Sequence, residues 1–471
     1  MTRDRITETI SWHSDNPHLS GNFAPIGTEI DSGPLDVIEG RIPEDLAGAY
    51  LRNGPNPRYE PSSYNYPLEG DGMLHALRFE GGKAYYSNRY VRTSGFEVED
   101  RAGRAVYGGI MSPQPVDPEL LGPHDDPENP FKMSAFIGVQ HHAGHLLAMG
   151  EGEPAWEIGP DLETRGPWTA GTDAPIIMGA HNRVHPVTGD LFALSYDIET
   201  PTVTMHHIGR DGQLRRSFDI ELAAPSMIHD FVLTERYLVL LIGPVVFDMG
   251  AMMSGGSFIQ WRPEIGTRIA VVPLDGGDVR WFEAEPFFVF HFANGFERGG
   301  EIVVDYIRHQ KLHFGYGEPN TEPPTPRRLV LDLASGRVSE QTWFDRVAEF
   351  PRIDDRRNAL ETRYVYAPTL TSSLTGGNGA SATFNCLLRI DTETGDVESH
   401  YFGNRIAGEA VFIPRGEGET EGWLGTYLYD PETETSDFVL LDAQGFGSDP
   451  VVRLRLPQRV PQGLHGTWVP K

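Results

Sequence analysis

Short runs of alternating apolar and polar residues recur along most of the chain, and few stretches show the period of an amphipathic helix. The runs are rich in Val, Ile, Tyr and Phe, and turn sequences that contain glycine separate them. Five of these turns occupy residues 79–83, 186–190, 274–277, 333–337 and 392–396. A glycine turn between two alternating runs predicts a β-hairpin, and we therefore expect an all-β protein.

The hairpins share a loose repeat, in which a strand ends in Asp, a glycine turn follows and the next strand begins with a charged residue. Residues 331–343 and 390–402 are examples, and several units lie roughly 50 to 65 residues apart. That spacing fits one blade with its loops, and it predicts a β-propeller. A set of β-sandwich domains is the alternative that the pattern leaves open. No linker rich in Pro and Ser divides the chain, so we expect one domain over residues 1–471.

Charge and composition narrow the class of function. The chain has 471 residues, of which 39% are hydrophobic, which is ample for a packed globular core. It carries 39 Lys and Arg residues against 67 Asp and Glu residues, a formal net charge of −28. A field of that sign repels phosphate backbones, so we expect no nucleic-acid partner.

Three features of the sequence favour a cytoplasmic protein. Residues 1–15 are polar and lack the apolar stretch of a secretory signal. The longest apolar run, residues 237–247, is interrupted by Gly243 and Pro244 and is too short to span a bilayer. The single cysteine, Cys386, excludes an intrachain disulfide and a cysteine-rich zinc site.

Four of the 17 histidines stand in or beside apolar strands, next to small or flexible neighbours. They are His181, His229, His291 and His465. Their separations, roughly 50, 60 and 170 residues, exclude a local metal motif. The inner strands of propeller blades line one axis, so one histidine from each of four blades can reach a single ion. Four neutral imidazoles suit iron(II), copper or zinc, and composition does not choose among these metals.

Three glutamates are embedded in apolar strands: Glu151, Glu349 and Glu409. An imidazole that binds a metal usually donates its other N–H to a carboxylate, which fixes the tautomer and raises the basicity of the ring. The three acids are therefore candidates for this supporting role. The alternative is that they are solvated acids at strand ends.

Six short motifs are spread over nearly the whole chain. They are Gly-Asn-Phe-Ala-Pro at 21–25, Tyr-Leu-Arg-Asn-Gly-Pro-Asn-Pro at 50–57, Gly-Asp-Gly-Met-Leu-His at 70–75, Met-Ile-His-Asp-Phe at 227–231, Glu-Phe-Pro-Arg-Ile-Asp at 349–354 and Leu-His-Gly-Thr-Trp at 464–468. Asn294 and Glu297 follow His291. Taken together, these motifs resemble the carotenoid cleavage oxygenase family, which includes apocarotenoid oxygenases and stilbene-cleaving dioxygenases.

The resemblance implies a seven-bladed β-propeller, with a dome of loops and short helices over the metal face that encloses an apolar tunnel. It implies that the four histidines bind iron(II), and that Glu151, Glu349 and Glu409 support three of them. His75 is not a ligand in this family, and we expect it to be structural.

The sequence departs from the family pattern at four places. Ala180-His181-Asn182-Arg183 stands where Ala-His-Pro-Lys is usual, which changes the turn after the first ligand. Ile137 holds the place of a threonine near the sixth coordination position, where its side chain would shield the metal. Stilbene-cleaving relatives usually carry a lysine and a tyrosine that hold the phenolic oxygen of the substrate. Gly150 and Ile110 hold those places here, and neither side chain can bind a phenolate.

We therefore expect an iron(II) dioxygenase that uses dioxygen to cleave a conjugated C=C bond of a carotenoid or apocarotenoid into aldehyde or ketone products. One alternative is cleavage of phenolic alkenes, such as stilbenes or vinyl and propenyl phenols. An alternative of another class is a non-catalytic propeller that binds a polyene or retinoid. A zinc or calcium hydrolase would need inner strands rich in carboxylates, which are not evident.

Residues 244–258 are rich in Gly, Met and Phe. Such a stretch is either a tunnel mouth that touches lipid during substrate uptake or an ordinary apolar loop.

Overall fold

Seven antiparallel sheets surround a common axis in the structure, a computed structural model that describes residues 5–64, 69–122, 125–254, 256–312, 320–371 and 384–471. The innermost strands of neighbouring sheets contact one another around this axis. The predicted all-β class and the seven-bladed β-propeller are thereby confirmed.

Blades 3 to 6 follow the chain, and each runs from the axis outward. Blade 3 contains Arg183–Val184, Leu191–Tyr196, Thr202–Ile208 and Leu214–Glu221. Blade 4 contains Val232–Leu233, Tyr237–Ile242, Thr267–Pro273 and Arg280–Ala284. Blade 5 contains Phe292–Arg298, Glu301–Arg308, Thr325–Asp332 and Val338–Thr342. Blade 6 contains Tyr364–Thr369, Cys386–Asp391 and Val397–Tyr401, and isolated bridges join its first strand to Ala348 and Arg352.

Blades 1, 2 and 7 close the ring. Blade 2 contains Gly138–His142, His145–Met149, Trp156–Ile158 and Thr164–Pro167. Blade 1 contains Gly466–Pro470, Gly48–Arg52, Met73–Glu80, Lys83–Tyr90 and Asp31–Ser32. Blade 7 contains Val411–Pro414, Ile406–Ala407, Gly422–Asp430, Thr435–Asp442, Val452–Arg455 and Val37–Gly40. Strands from both ends of the chain therefore pair in blades 1 and 7, which ties the ring shut.

The five predicted hairpin turns are confirmed. Each lies between two antiparallel strands that are consecutive in sequence. The turn at 79–83 is an example, because Glu80 pairs with Lys83 and the two glycines between them both have positive φ. Glycine accepts this left-handed backbone at little steric cost, which is why the motif marks the turn so clearly.

Strands in the middle of a blade are buried on both faces, because each blade packs between two neighbours. Glu301–Arg308 in blade 5 and Gly422–Asp430 in blade 7 are buried along nearly their whole length. Strands at the outer edge, such as Val338–Thr342, are exposed along most of their length. The apolar core is therefore distributed between the blades rather than gathered in one place.

Short elements between the blades form the predicted dome. They are the helices Ser94–Ala102 and Met249–Met253, the short 3-10 segments Pro17–Leu19, Gly21–Phe23, Pro118–Leu120 and Pro263–Ile265, and the ribbons Glu153–Pro154 with Ile177–Met178 and Val245–Phe247 with Ile259–Trp261. A further 3-10 segment, Asp355–Arg357, lies apart from the dome at an axial cavity, which Asp355 lines. A dome cluster of buried apolar residues comprises Met227, Val245, Phe247, Phe258, Phe288, Phe290 and Leu312. No helix in the described part of the chain is long and apolar enough to cross a bilayer.

Candidate metal centre

The four predicted histidines lie just before the inner strands of four blades. His181 precedes blade 3, His229 precedes blade 4, His291 precedes blade 5, and His465 precedes the strand that the C-terminus contributes to blade 1. Inner strands converge on the axis, so histidines at these equivalent positions meet although they are distant in sequence.

The four imidazoles form one compact cluster. Ligand nitrogens of His181, His291 and His465 lie within 4.8 Å of one another, and Nε2 of His229 lies 3.1 Å from Nε2 of His181. The ring of His181 lies 4.5 to 5.1 Å from the other three ring centres. Imidazoles this close together, without a carboxylate or thiolate among them, are a donor set for a borderline divalent metal.

Each of the three predicted glutamates accepts a hydrogen bond from one of the histidines. Nδ1 of His229 donates to Glu151 at 2.6 Å. Nδ1 of His291 donates to Glu349 at 2.5 Å, and Nδ1 of His465 donates to Glu409 at 2.7 Å. Because Nδ1 is engaged in all three rings, Nε2 is the nitrogen that remains for a metal.

A second side chain, which was not predicted from the sequence, holds the other oxygen of each glutamate. The Tyr196 hydroxyl donates to Oε1 of Glu151. Nε2 of His309 lies 2.6 Å from Oε1 of Glu349, and Nη1 of Arg352 lies 2.7 Å from Oε1 of Glu409. One oxygen of each glutamate is therefore held by a histidine of the cluster. The other oxygen is held by a phenol for Glu151, an imidazole for Glu349 and a guanidinium for Glu409.

His181 is the histidine without a glutamate partner among the described residues. Its Nδ1 lies 4.0 Å from Oδ2 of Asp230, too far for a direct hydrogen bond. Arg183 donates to the same oxygen at 2.6 Å, and the backbone N–H of Phe292 donates to it at 3.0 Å. Arg183, which stands where the family usually has a lysine, therefore forms an ion pair with the buried carboxylate of Asp230 beside His181.

Burial and charge set the protonation of the cluster. Burial, together with the neighbouring imidazoles, holds the pKa of His181 well below its usual range. Burial also lowers the pKa of His291, although Glu349 opposes it. Burial acts in the same direction on His229, but the carboxylate of Glu151 outweighs it and raises the pKa of this ring. His181 and His291 thus favour the neutral form, whose lone pair is available to a metal.

The surroundings of the cluster differ on its two sides. A cavity of about 290 Å³ reaches His181, His291 and His465, and both polar and apolar side chains line it, such as Gln140 and Ile353. The dome cluster meets the opposite part of the centre. Phe290 contacts the ring of His229 edge to face, with 5.4 Å between the ring centres.

Ile137 is buried next to the centre. Its carbonyl accepts a hydrogen bond of 3.1 Å from the backbone N–H of His465. Its side chain belongs to a cluster with Ala180, Phe350 and Leu464. Phe350 has a φ of 51°, which is rare for a bulky residue, and its ring packs against His465. A shielding role for Ile137 stays a prediction.

Gly150 lies beside the centre, whereas Ile110 is exposed. Gly150 lies directly before Glu151, and a Cβ atom built on it would stand 1.8 Å from Oε1 of Glu153. A larger side chain at this position therefore requires Glu153 to move. Ile110 is 41% exposed, whereas the next residue, Met111, packs against the dome cluster. Met111 rather than Ile110 thus adjoins the apolar side of the site.

Other residues that the sequence analysis singled out also have definite places. His75 is buried in blade 1, where its Nδ1 lies 2.8 Å from the Tyr86 hydroxyl, a structural contact. In residues 244–258, of which Gly255 lies outside the described residues, Val245, Phe247 and Phe258 are buried in the dome cluster. These three side chains therefore point inward, and lipid contact stays a prediction.

Fold and site together define a class: a seven-bladed propeller with a four-histidine, carboxylate-supported centre on its axis. A family model described as Retinal pigment epithelial membrane protein matches residues 23–470. The chain is 33% identical to a carotenoid cleavage oxygenase of Mycobacterium tuberculosis over 99% of this chain and 100% of that protein. The chain therefore belongs to the carotenoid cleavage oxygenase family.

Solved structures agree with this assignment. The lignostilbene dioxygenase of Pseudomonas brassicacearum is 30% identical, with a TM-score of 0.87 over 97% of this chain and 99% of that chain. The cobalt-substituted apocarotenoid oxygenase of Synechocystis is 29% identical, with a TM-score of 0.85 over 96% of this chain and 98% of that chain. Relatives in this family are oxygenases named for carotenoids, apocarotenoids, resveratrol and isoeugenol.

Proposed function

We propose that this protein is an iron(II)-dependent dioxygenase that cleaves a conjugated C=C bond of a carotenoid or apocarotenoid to give two carbonyl products. The observation that carries the proposal is the convergence of four imidazoles, three of them tied through Nδ1 to a glutamate. Family membership supports the reaction class.

The residues present fit a divalent metal. His181, His229, His291 and His465 would hold it through nitrogen, since neutral imidazoles are a donor set for a borderline divalent metal. When bound, iron(II) would supply redox chemistry with dioxygen. Zinc and copper also suit such donors, and the family resemblance is what favours iron.

The protein's own part in the reaction is to position and to exclude water. The glutamates fix the orientation of three histidine rings. The dome cluster supplies an apolar surface on which a polyene can lie beside His229. No nucleophilic side chain or general base is required by this proposal, because the protein binds the reactants and the metal supplies the reactive centre. We also propose that the whole chain acts as one domain.

Cleavage of a phenolic alkene is the second candidate. The similarity to a lignostilbene dioxygenase favours it. Gly150 and Met111, the residue that adjoins the apolar side of the site, argue against it, since neither offers a hydrogen bond to a phenolic oxygen. We therefore rank the polyene first.

The proposal is tested by incubating iron-loaded protein in air with a panel of apocarotenals, carotenoids, stilbenes and propenyl phenols, and by identifying aldehydes by mass. The His465→Ala variant is the matched control for iron-dependent turnover. Two carbonyl fragments from one polyene, formed by wild type and not by the variant, would support the proposal. Tight binding of a polyene without any product would instead indicate a binding protein.

A further inference from the structure

Glu151 is less enclosed than the other two supporting glutamates. Its side chain is 17% exposed, compared with 1% for Glu349 and 2% for Glu409. Glu349 also accepts a hydrogen bond from the backbone N–H of Phe350, and Glu409 accepts one from the backbone N–H of Gly466. These two carboxylates are thus anchored to the backbone as well as to side chains.

In the described part of the chain, the hydrogen-bond partners of Glu151 are two side chains from neighbouring blades. One oxygen accepts from Nδ1 of His229 at 2.6 Å, and the other accepts from the Tyr196 hydroxyl. Tyr196 is the last residue of the blade 3 strand Leu191–Tyr196. The position of Glu151, and with it the orientation of His229, therefore depends on Tyr196.

The ring of Tyr196 packs against the dome cluster. It stacks on Phe247, with 5.7 Å between the ring centres and 21° between the planes. Phe247 in turn stacks on Phe258 at 6.0 Å. The dome cluster therefore meets the centre in two ways: directly, where Phe290 contacts His229, and indirectly, through Tyr196 and Glu151.

We propose that Tyr196 is a positioning residue that couples occupancy of the dome cluster to the histidine His229 through Glu151. A non-polar molecule that packs against Phe247 displaces the Tyr196 ring. The phenol is rigid, so its hydroxyl moves with the ring and carries the carboxylate of Glu151 with it. The inference rests on the proposed function, because it requires a metal on His229 and a non-polar reactant on the dome side.

This arrangement is specific to one of the three supported histidines. Glu349 and Glu409 have backbone anchors, so a displaced side-chain donor would move them less. The response to a bound reactant should therefore appear as a change in the ligand geometry of His229, and hence in the electronic spectrum of a bound metal.

The experiment uses cobalt(II), whose visible absorption reports ligand geometry, in the chain of residues 1–471 under anaerobic conditions. Retinyl acetate and trans-stilbene are the probes, because neither carries a free hydroxyl group. We expect about one cobalt per chain and a shift of the cobalt bands on addition of a probe in wild type. Tyr196→Phe keeps the ring and removes only the hydroxyl, so it should retain cobalt and lose most of the shift.

Two further variants separate coupling from general damage. Tyr306→Phe also removes a phenolic hydroxyl group. That hydroxyl donates to Glu340 in blade 5, which is not one of the three glutamates that support the histidines. It should keep the full shift. Phe247→Leu preserves the Tyr196 hydroxyl and removes the ring stack, so it should retain cobalt and reduce the shift.

Each outcome decides one of the two proposals. A full shift in Tyr196→Phe, or a wild type that binds cobalt without any shift, overturns the coupling and leaves the proposed function intact. A wild type that binds no cobalt, or a His465→Ala variant that binds it fully, overturns the proposed metal site itself. If Tyr196→Phe loses cobalt, the Phe247→Leu variant tests the coupling instead. An undiminished shift of the cobalt bands in Phe247→Leu overturns the coupling.

Discussion

Nη1 of Arg352 donates a 2.7 Å hydrogen bond to Oε1 of Glu409, whose other oxygen accepts from His465. Both partners are enclosed, since the side chain of Arg352 is 16% exposed and that of Glu409 is 2% exposed. Burial would raise the pKa of Glu409, but Arg352 and His465 outweigh it and lower this pKa to about 2. The carboxylate that supports His465 is thus kept ionised by a fixed positive charge.

Removal of this guanidinium should destabilise the protein strongly. Arg352→Met leaves a buried carboxylate without its counter-charge, and such losses cost about 3–5 kcal/mol. The matched control is Arg363→Met, because Arg363 is 41% exposed in its pair with Asp391, and surface pairs are worth about 0–1 kcal/mol. Urea unfolding of both variants measures the difference. Equal stability of the two would show that the Arg352 pair contributes nothing beyond an ordinary surface contact.

Alanine at any one of the four histidines should remove metal and activity together. Three remaining imidazoles form a weaker site, and loss of His229, His291 or His465 also leaves a glutamate without one of its hydrogen-bond donors. Metal content by atomic spectroscopy, measured beside activity, checks this prediction. His75→Ala is the control, because His75 is buried in blade 1 and bonds Tyr86. Full iron occupancy in His465→Ala would remove that residue from the ligand set.

Glutamine at Glu151, Glu349 or Glu409 should weaken the site without emptying it. The amide keeps the shape of the side chain but is a poorer acceptor for Nδ1 of the histidine, and losses of about 10- to 100-fold in metal affinity or rate are expected. Glu340→Gln is the control, since Glu340 accepts from Tyr306. If all three variants matched the control in a metal competition assay, the hydrogen bonds to the histidines would have no functional role.

The buried carboxyl group of Glu153 should make the stability of the protein depend on pH. Burial raises its pKa from 4.5 to about 7, although backbone N–H groups of Ser134 and Ala135 oppose the shift. Because the folded-state pKa is the higher one, the stabilisation is complete below about pH 4.5 and is lost as the pH rises through about 7.

The expected loss is on the order of 3 kcal/mol, from a pKa difference of about 2.5 units. Glu153→Gln is neutral at every pH, so the Tm of wild type minus that of the variant should fall as the pH rises over this interval. A difference that stays constant or grows with pH would show that Glu153 is ionised throughout.

The sequence predicts the parts of the site that lie in motifs. Glycine turns and alternating strands indicate the propeller, and the motifs around His229, Glu349 and His465 indicate the centre by resemblance. These features are local, because a turn or a strand end is specified by a few adjacent residues. Arg352 stands inside the motif at 349–354, so its partnership with Glu409 had a visible signal.

The remaining contacts arise from packing between blades and have no local signal. Tyr196 meets Glu151 across 45 positions of sequence, and His309 meets Glu349 across 40. Tyr196 ends the strand Leu191–Tyr196 and His309 directly follows the strand Glu301–Arg308, and a polar residue at a strand end gives no sign of a distant partner. The prediction that Ile110 lines the substrate site is off by one residue for the same reason. Ile110 is exposed, and its neighbour Met111 packs against the dome cluster.

The predicted substrate class depends on whether the site can bond a hydroxyl group of the substrate. Discrimination for a hydroxylated substrate comes from buried groups that bond its hydroxyl and that would be left unpaired without it. At position 150 there is no side chain, and the space beside it is filled by Glu153. The phenol beside Glu151, Tyr196, already donates its hydroxyl hydrogen bond to that carboxylate. Binding should instead scale with the apolar area that a long polyene buries, at roughly 25 cal/mol per Å².

We therefore expect an apocarotenal to be cleaved with a kcat/KM about tenfold or more above that of either stilbene or 4-hydroxystilbene. Stilbene and its 4-hydroxy derivative form the matched pair, since they differ by a single oxygen. Their kcat/KM values should lie within about threefold of each other, because neither Gly150 nor Met111 offers a hydrogen bond to the hydroxyl. All three substrates are compared on one iron-loaded preparation, with aldehyde formation followed by chromatography. A strong preference for 4-hydroxystilbene over stilbene, with no polyene cleavage, would reverse the ranking of the two substrate classes. It would leave the four-histidine assignment untouched, because metal content is measured on the same sample.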